Sequence, residues 1–495
     1  MLLTDELLLN HKRCQRRAYL DVHGHHQRDP QRDFVAKLRQ ESRRHSQKVL
    51  DTFYPHYQPL QAHRDWQARF QETEALMQQG VECIYRGVLL QPSSTQPPFQ
   101  LASRADVALA GTPDLLIKQP GRSKFGDWQY LPISIRLGRR PKPEYKMIAA
   151  FHAQLLAAVQ GVLPATAKII LRQLNDYAVN LGTWGPRMQE VLAQCLQSLQ
   201  EFQEPDVFIS RQRCSLCHWY SQCYAIASTE QHLSLVPGVT PARYQHLQSL
   251  GVHTLDSLAN ACSIYVGEVL GFQVASELKQ QAESIVTEQA IRKPHRRHQS
   301  IPTASIELYF DIEAEPERKL DYLLGVLLVD RQANTQQFYP FLATTPEEEK
   351  TNWQQFLEFV SAYKSAPIFH YSEYEVEALR RLANLYNTPR KSVEQVISRF
   401  VDLHSCVVNS VVLPVESYSL KSLANWLGFQ WRDVNASGEQ SVCWYDRWLQ
   451  EGDYALLEAI LRYNEDDCRA TYHLKDWLVN FLASSLPASV DSQPE

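Results

Sequence analysis

Asp311 and Glu313 close a run of β-branched and aromatic residues, Ile306-Glu307-Leu308-Tyr309-Phe310, and this pairing constrains the fold more than any other stretch. In a strand, residues two apart point to the same side. Both carboxylates therefore project together from one strand end. Tyr463-Asn464-Glu465-Asp466-Asp467 answers them far downstream. Tyr463 and Asp467 are four apart and share a helix face, whereas Asp466 would point about 100° away from Asp467. Clustered carboxylates of this kind can hold divalent cations, and a hydroxyl one turn from a carboxylate can orient an attacking water.

The intervening segments supply the rest of an α/β pattern. Pro367-Ile368-Phe369-His370-Tyr371-Ser372 reads as a short buried strand, and residues 373–382 as the helix that follows it. Phe400-Val401-Asp402-Leu403 is another strand with an acid. Ser417-Tyr418-Ser419-Leu420-Lys421 opens a helix that ends at Gly428. This order resembles the RNase H-like 3′–5′ exonucleases, in the DnaQ-like branch with tyrosine in its last motif. Asp311 and Glu313 match the first motif, and Tyr463 and Asp467 match the third. His370-Tyr371-Ser372-Glu373-Tyr374-Glu375 lies where the second is expected, with Glu375 standing where that family usually has Asp. The extra methylene lengthens one metal ligand, and Mg²⁺ tolerates little distortion.

The resemblance implies a metal-dependent nuclease that hydrolyses a 3′-terminal phosphodiester of DNA or RNA at a single-stranded 3′ end. Asp311, Glu313, Glu375 and Asp467 would hold two Mg²⁺ or Mn²⁺ ions, and Tyr463 would orient the water. His370, Ser419 and Lys421 would border the substrate. Trp426, Trp431, Trp444 and Trp448 read as packing residues rather than base-stacking platforms.

The chain has 495 residues, enough for two or three domains. Its 44% hydrophobic and 21% charged content is that of an ordinary globular protein. A net charge of −5 gives no global basic field, which leaves room for a nuclease cleft whose cations are local. No signal peptide and no membrane-length apolar run is evident, so a cytoplasmic chain with reduced or metal-bound cysteines is expected.

Cysteine spacing gives the second signal. Cys214-Ser215-Leu216-Cys217 is followed closely by Cys223. A two-residue gap lets two thiolates grip one metal centre, and a third nearby nearly completes a tetrahedron. Cys14 is the best fourth ligand. His218 is its rival and would favour zinc. Cys83, Cys195, Cys262, Cys406, Cys443 and Cys468 stand alone and read as buried small apolar residues.

One early cysteine and three closely spaced ones about two hundred residues later resemble the iron–sulfur branch of the RecB-like nucleases, over about residues 1–225. That branch includes CRISPR-associated and AddB-type members. The resemblance implies a 4Fe–4S cluster on Cys14, Cys214, Cys217 and Cys223, with zinc the alternative. Gly111-Thr112-Pro113-Asp114 fits its Gly-x-x-Asp metal motif, His45 falls where an early histidine is expected, and Gln154 opens the helix of its Gln motif. The chain departs from this pattern at Ser134, in place of the second metal-binding carboxylate, and at Arg136, in place of the catalytic lysine. Ala158 lies where Tyr is frequent. Serine is a poor ligand for a hard cation, and arginine stays charged. Asp114 is thus a residual metal ligand in a degenerate domain retained for binding, with Arg136, Arg139, Arg140, Lys142 and Lys146 favouring phosphates.

The expected fold is α/β and multidomain. A degenerate restriction-endonuclease-like (RecB-like) domain spans 1–226, with helices near 145–160 and 186–203. A helical module spans 230–291. There Thr240 and Pro241 start a helix, Gly251 stops it and Thr254 caps the next. It resembles a helix-hairpin-helix connector, which can grip a phosphate backbone. A basic linker follows at 292–303, then an RNase H-like mixed-sheet domain at 304–481 and a disordered tail at 482–495. Two rival functions stand beside the nuclease. One is a catalytically inactive nucleic-acid-binding scaffold; the other is an iron–sulfur, redox-gated nucleic-acid binder.

Overall fold

The computed structural model describes residues 1–24, 27–60, 65–94, 98–99, 107–201, 203–293 and 301–484. Most of the expected basic linker (294–300) and of the expected tail (485–495) lies outside the described residues. The chain divides into two compact units. One is Met1–Val207 with Arg211–Cys223; the other is Phe208–Ser210 with Tyr224–Glu495. Among the described residues, no helix is long and apolar enough to cross a membrane.

The first unit carries a six-stranded sheet. Its order is Gln58–Pro59, Cys83–Tyr85, Leu115–Ser123, Gly126–Ile135, Ala167–Ile170, Asp176–Val179. The helix Pro143–Gln160 is its main apolar partner. Met147, Phe151, Leu155 and Leu156 are buried with Leu109, Leu116 and Tyr130. Gly111 is required by this packing, because a Cβ there would lie 2.8 Å from Leu155 and 2.9 Å from His152. Two helix starts differ from expectation. The helix begins at Pro143, so Gln154 lies in its interior rather than at its opening. The next helix is Leu181–Gln200 rather than 186–203, with Pro186 inside it. Asn180 caps it by accepting from Thr183 N, and this cap outweighs the stop signal that Gly185 and Pro186 give in sequence.

The second unit begins with helices Pro241–Ser249, Leu255–Ala259, Ser263–Leu270 and Phe272–Thr287. Thr240 accepts from Arg243 N, Gly251 has φ +77°, and Thr254 forms a capping box with Ser257. The strand Ile291–Arg292 then pairs antiparallel with Val411–Val412, and Gln281 Nε2 donates to Leu413 O at 2.7 Å. The module is thereby stitched to the sheet domain that follows it. Cys262 is exposed, not buried as expected, because it precedes the helix Ser263–Leu270 as its N-cap residue.

The sheet of this unit has five strands in the order Thr335–Leu342, Leu320–Asp330, Ile306–Glu315, Ile368–His370, Phe400–Asp402. The first three are antiparallel and the last two run parallel to the central strand, making the mixed sheet. Ile306–Glu315 does not stop at the acids. It runs on to Glu315, with a register shift between Glu313 and Ala314. Alternation divides this strand cleanly. Leu308, Phe310 and Ile312 face one core with Trp353, Phe356, Leu379 and Leu382. Tyr309 faces the other core, with Cys468, Leu474 and Leu478 of the helix Tyr454–Ser484. Glu307, Asp311 and Glu313 share the parity of Tyr309 and so belong to the face covered by that long helix.

One end of this contact is a neutralised ion network. Lys475 Nζ donates to Glu307 Oε1 at 2.7 Å, with the two side chains only 3% and 1% exposed. Tyr309 and Arg331 also donate to Glu307, and Arg331 reaches on to Asp476. Removing one partner of a buried pair strands the other charge. Lys475→Met is expected to lower stability by about 3 kcal/mol, read as a fall in the urea midpoint of the transition that carries this unit; an unchanged midpoint would refute a structural role for the pair.

Candidate metal centre

The opposite end of the same interface is built from acids. Asp311, Glu313 and Asp467 each present an oxygen, and the three oxygens lie within 4.8 Å of one another. Strand spacing brings the first two together and the long helix brings the third. Tyr463, one turn earlier on that helix, is buried and its hydroxyl hydrogen-bonds Asp467. Asp466 turns away, accepting from Arg432 N and Nε at 2.9 and 2.8 Å.

The electrostatics are those of crowded anions with little compensation. Burial holds the Asp311 carboxyl well above the ordinary carboxylate range, and the charges of Asp467, Glu313 and Glu375 push it the same way. Burial does the same to Glu313, with Asp467 adding to it. Asp467 is pushed up to about 7 by burial, against the hydrogen bonds from Trp431 and Tyr463. Neutral donors hold these groups: Trp431 Nε1 gives to Asp467 Oδ1 at 2.7 Å, Asn464 Nδ2 gives to Asp311 Oδ2 at 2.7 Å, and Ser441 and Asn464 bond Glu313. Hard anionic oxygens this close together fit Mg²⁺ or Mn²⁺.

Glu375 stands at the edge of the cluster. It is buried, and its charge reaches Asp311, but its oxygens fall outside the close group of three. Its Oε2 lies 3.2 Å from His370 Nδ1 and 3.5 Å from Ser372 Oγ. Ser372 sits at φ +107°, a strained position for serine. Its N–H donates to Asp402 Oδ1 at 3.1 Å, which ties this turn to the neighbouring strand. His370 is buried. Ser419 caps the helix Leu420–Trp426 by accepting from Ser422 N. Lys421 Nζ donates to Ala436 O at 2.7 Å and lies 5.6 Å from the centre of the Trp431 ring. Trp431 is buried, Trp426 packs edge-on against Trp477, and Trp448 Nε1 donates to Thr344 O.

Asn464, Gly325, Trp431 and Ser441 were not among the expected site residues. For one of them a signal exists in the sequence. Gly325 interrupts the apolar run Leu323-Leu324-Gly325-Val326-Leu327, and a glycine inside a strand marks close approach of another group.

In the first unit, Asp114 Oδ2 accepts from Ile135 N at 2.7 Å and from Arg136 Nη1 at 2.9 Å. Ser134 is buried, and Asp114 belongs to no close three-ligand group among the described residues. His45 is buried with no partner for Nε2, its pKa lowered by burial and by Arg172 and Lys48. The cysteines are electrostatic neighbours. Burial pushes the Cys217 thiol up to about 11, with Cys14 and Cys214 adding to it, and Cys14 also raises Cys223. Cys217 and Cys223 pack against Tyr19, Leu20 and Trp219. Their sulfurs do not form a three-ligand group within 4.8 Å among the described residues. His218 Nε2 is engaged by Asp21 Oδ1 at 2.7 Å.

Residues 308–479 match a family model described as the RNase_H superfamily. No match to a curated protein is found for the chain. The second unit therefore contains an RNase H-like domain, whose acidic triad points to metal-dependent hydrolysis of nucleic acid.

Raised carboxyls mean that the fold disfavours the ionised acids relative to the unfolded chain, so at neutral pH these charges lower stability. In metal-free buffer, Asp311→Asn is expected to raise the melting midpoint. Mn²⁺ should raise the midpoint of the native chain and leave that of the variant unmoved. A lower midpoint for the variant without metal would contradict the crowding described above.

Proposed function

We propose that this chain is a metal-dependent nuclease acting as a 3′–5′ exonuclease on nucleic acid with an unpaired 3′ end. The observation that carries this reading is the approach of Asp311, Glu313 and Asp467 within 4.8 Å inside an RNase H-like domain. These three residues, with Glu375 at the margin, would hold two Mg²⁺ or Mn²⁺ ions. Such ions supply charge for activating water and for stabilising the departing oxygen.

The chain's own groups do the rest. Tyr463, bonded to Asp467, orients the incoming water beside the acids. Trp431 and Asn464 keep two carboxylates in fixed rotamers by donating to one oxygen of each. His370 holds Glu375 through its ring nitrogen. Burial limits bulk water around Glu313 and Glu375, which strengthens each of these interactions.

The N-terminal unit, in this reading, is a RecB-like domain that binds rather than cuts. Arg136 neutralises Asp114, and a buried serine stands where a second carboxylate is needed. Arg139, Arg140, Lys142 and Lys146 supply phosphate contacts. Cys14, Cys214, Cys217 and Cys223 would hold a 4Fe–4S cluster, a reading supported by the packing of Cys217 and Cys223 against Tyr19 and Leu20, close in sequence to Cys14, and by the engagement of the rival ligand His218 with Asp21. The hairpin around Gly251 grips backbone phosphates without reading sequence.

Purified protein with Mn²⁺ and strands labelled at either end tests the activity. Stepwise loss of the 3′ label is expected, falling to background in Asp311→Ala and in Asp467→Ala. Binding without any cleavage, on DNA or RNA and with either metal, would leave only a nucleic-acid scaffold. For the cluster, anaerobically purified protein should be brown and carry iron with acid-labile sulfide. Stoichiometric zinc without iron would remove that assignment.

A further inference from the structure

We propose that Asn464, seated in a slot that only Gly325 leaves open, is a positioning residue for the cation site. It holds Asp311 and Glu313 so that both can turn an oxygen to a shared divalent ion. The inference deepens the nuclease reading and rests on it.

The slot is a property of the sheet. Asp311 and Gly325 are direct partners across the strands Ile306–Glu315 and Leu320–Asp330. Directly opposed residues share a face, so a side chain at 325 would stand beside the Asp311 carboxylate. A Cβ there would lie 1.6 Å from Asn464 Oδ1 and 2.8 Å from its Cγ. The amide of Asn464, carried by the helix Tyr454–Ser484, therefore occupies the space that residue 325 gives up.

The hydrogen-bond pattern then assigns the task. Asn464 is 0% exposed. Its Nδ2 donates to Asp311 Oδ2 at 2.7 Å, and its side chain also bonds Glu313. Its Oδ1 is buried with no partner. A buried carbonyl oxygen without a donor is unfavourable, and an apolar side chain of similar shape would avoid it. Turning the amide over would set Oδ1 against the Asp311 carboxylate, so the acids dictate its orientation. An amide suits this place chemically. It offers two N–H donors and no charge. A lysine or arginine would steady the same oxygens but cancel the negative field that attracts cations. Ser441, Trp431 and Tyr463 follow the same rule, each a neutral donor to an acid of the group.

The test is Mn²⁺ alone, titrated into the full chain and followed by electron paramagnetic resonance, beside a Mn²⁺ titration of single-strand cleavage. Asn464→Ala should weaken Mn²⁺ binding by about tenfold or more. Its cleavage should recover at high Mn²⁺, so that the metal midpoint moves more than the limiting rate. Gly325→Ala should reproduce this loss by displacing the amide. Asn464→Ala added to Gly325→Ala should cost no further affinity, because the clash is then relieved. Asn464→Leu keeps the approximate shape, removes the donors and adds no charge, and should also weaken binding, which guards against an Ala variant that fails to fold. A purely structural role would lower melting midpoints while leaving the Mn²⁺ midpoint unmoved, and that result overturns the inference. Losses that multiply in the double variant overturn it too. Should the native chain cut and Asn464→Ala bind Mn²⁺ normally, the inference falls and the nuclease reading stands. Should the native chain bind Mn²⁺ more tightly than Asn464→Ala but cut nothing, the inference stands and the nuclease reading falls.

Discussion

The contact between one strand and one helix carries opposite solutions to the same electrostatic problem. Where Ile306–Glu315 begins, Glu307 is buried against Lys475 and Arg331, and its charge is cancelled on the spot. Further along the same strand and the same helix, Asp311, Glu313 and Asp467 are crowded together and steadied by neutral donors. In the first arrangement each charge is matched, so that losing either partner would strand the other; in the second the crowded acids oppose folding at neutral pH. An interface that tolerates the second must be anchored by the first and by the apolar stripe of Cys468, Leu474 and Leu478 lying between and beyond them. The Lys475 pair also fixes how far along the strand the helix sits, and that register decides whether Asp467 meets Asp311 at all.

The two units treat acids in contrasting ways. Asp114 lies in the first, where one oxygen accepts from the Ile135 backbone and from Arg136. Asp5, close in sequence to the start, is similarly consumed: Oδ2 accepts from Thr112 N, and His152 Nε2 lies 2.8 Å away. Both acids are matched to fixed protein partners, which leaves them little to offer a cation. In the second unit the close acids keep unmatched charge. Strongly perturbed, unneutralised acids concentrate where chemistry is done, so it is the distribution of partners, more than the presence of acids, that separates Asp114 and Asp5 from the triad of Asp311, Glu313 and Asp467.

What could be read from the sequence follows from periodicity. Asp311 with Glu313, and Tyr463 with Asp467, were visible because periods of two and nearly four convert spacing into shared faces. The caps at Thr240 and Thr254 were visible for the same local reason. Long-range packing left no such trace. The strand was expected to stop at the acids because charged residues look like an edge, but the long helix covers that face and lets the strand continue to Glu315. Asn464 stood in plain view inside the last motif, yet its seat depends on Gly325, a residue distant in sequence whose only signal is a missing side chain. Cys262 looked like another buried cysteine and is instead a helix-start residue in solvent.

Glu375 stands where the sequence pattern calls for aspartate, and its surroundings show where the longer side chain puts its carboxylate. A shorter aspartate at this position would need its backbone nearer the acids. The glutamate gains one methylene, and its carboxylate is buried within reach of both His370 and the field of Asp311. The turn that carries it is held in an unfavourable conformation at Ser372, with Asp402 accepting from the Ser372 N–H. Tyr374 and Arg381, at either end of the same helix segment, both donate to buried Asp321 on the neighbouring strand. The backbone is thus clamped on two sides of Glu375. A longer side chain on a clamped helix trades rigidity in the side chain for rigidity in its mount, and the His370 contact restores part of what the methylene loses. Glu375 thus brings its charge within the field of Asp311 while its oxygens, turned to His370 and Ser372, stay outside the close group of three.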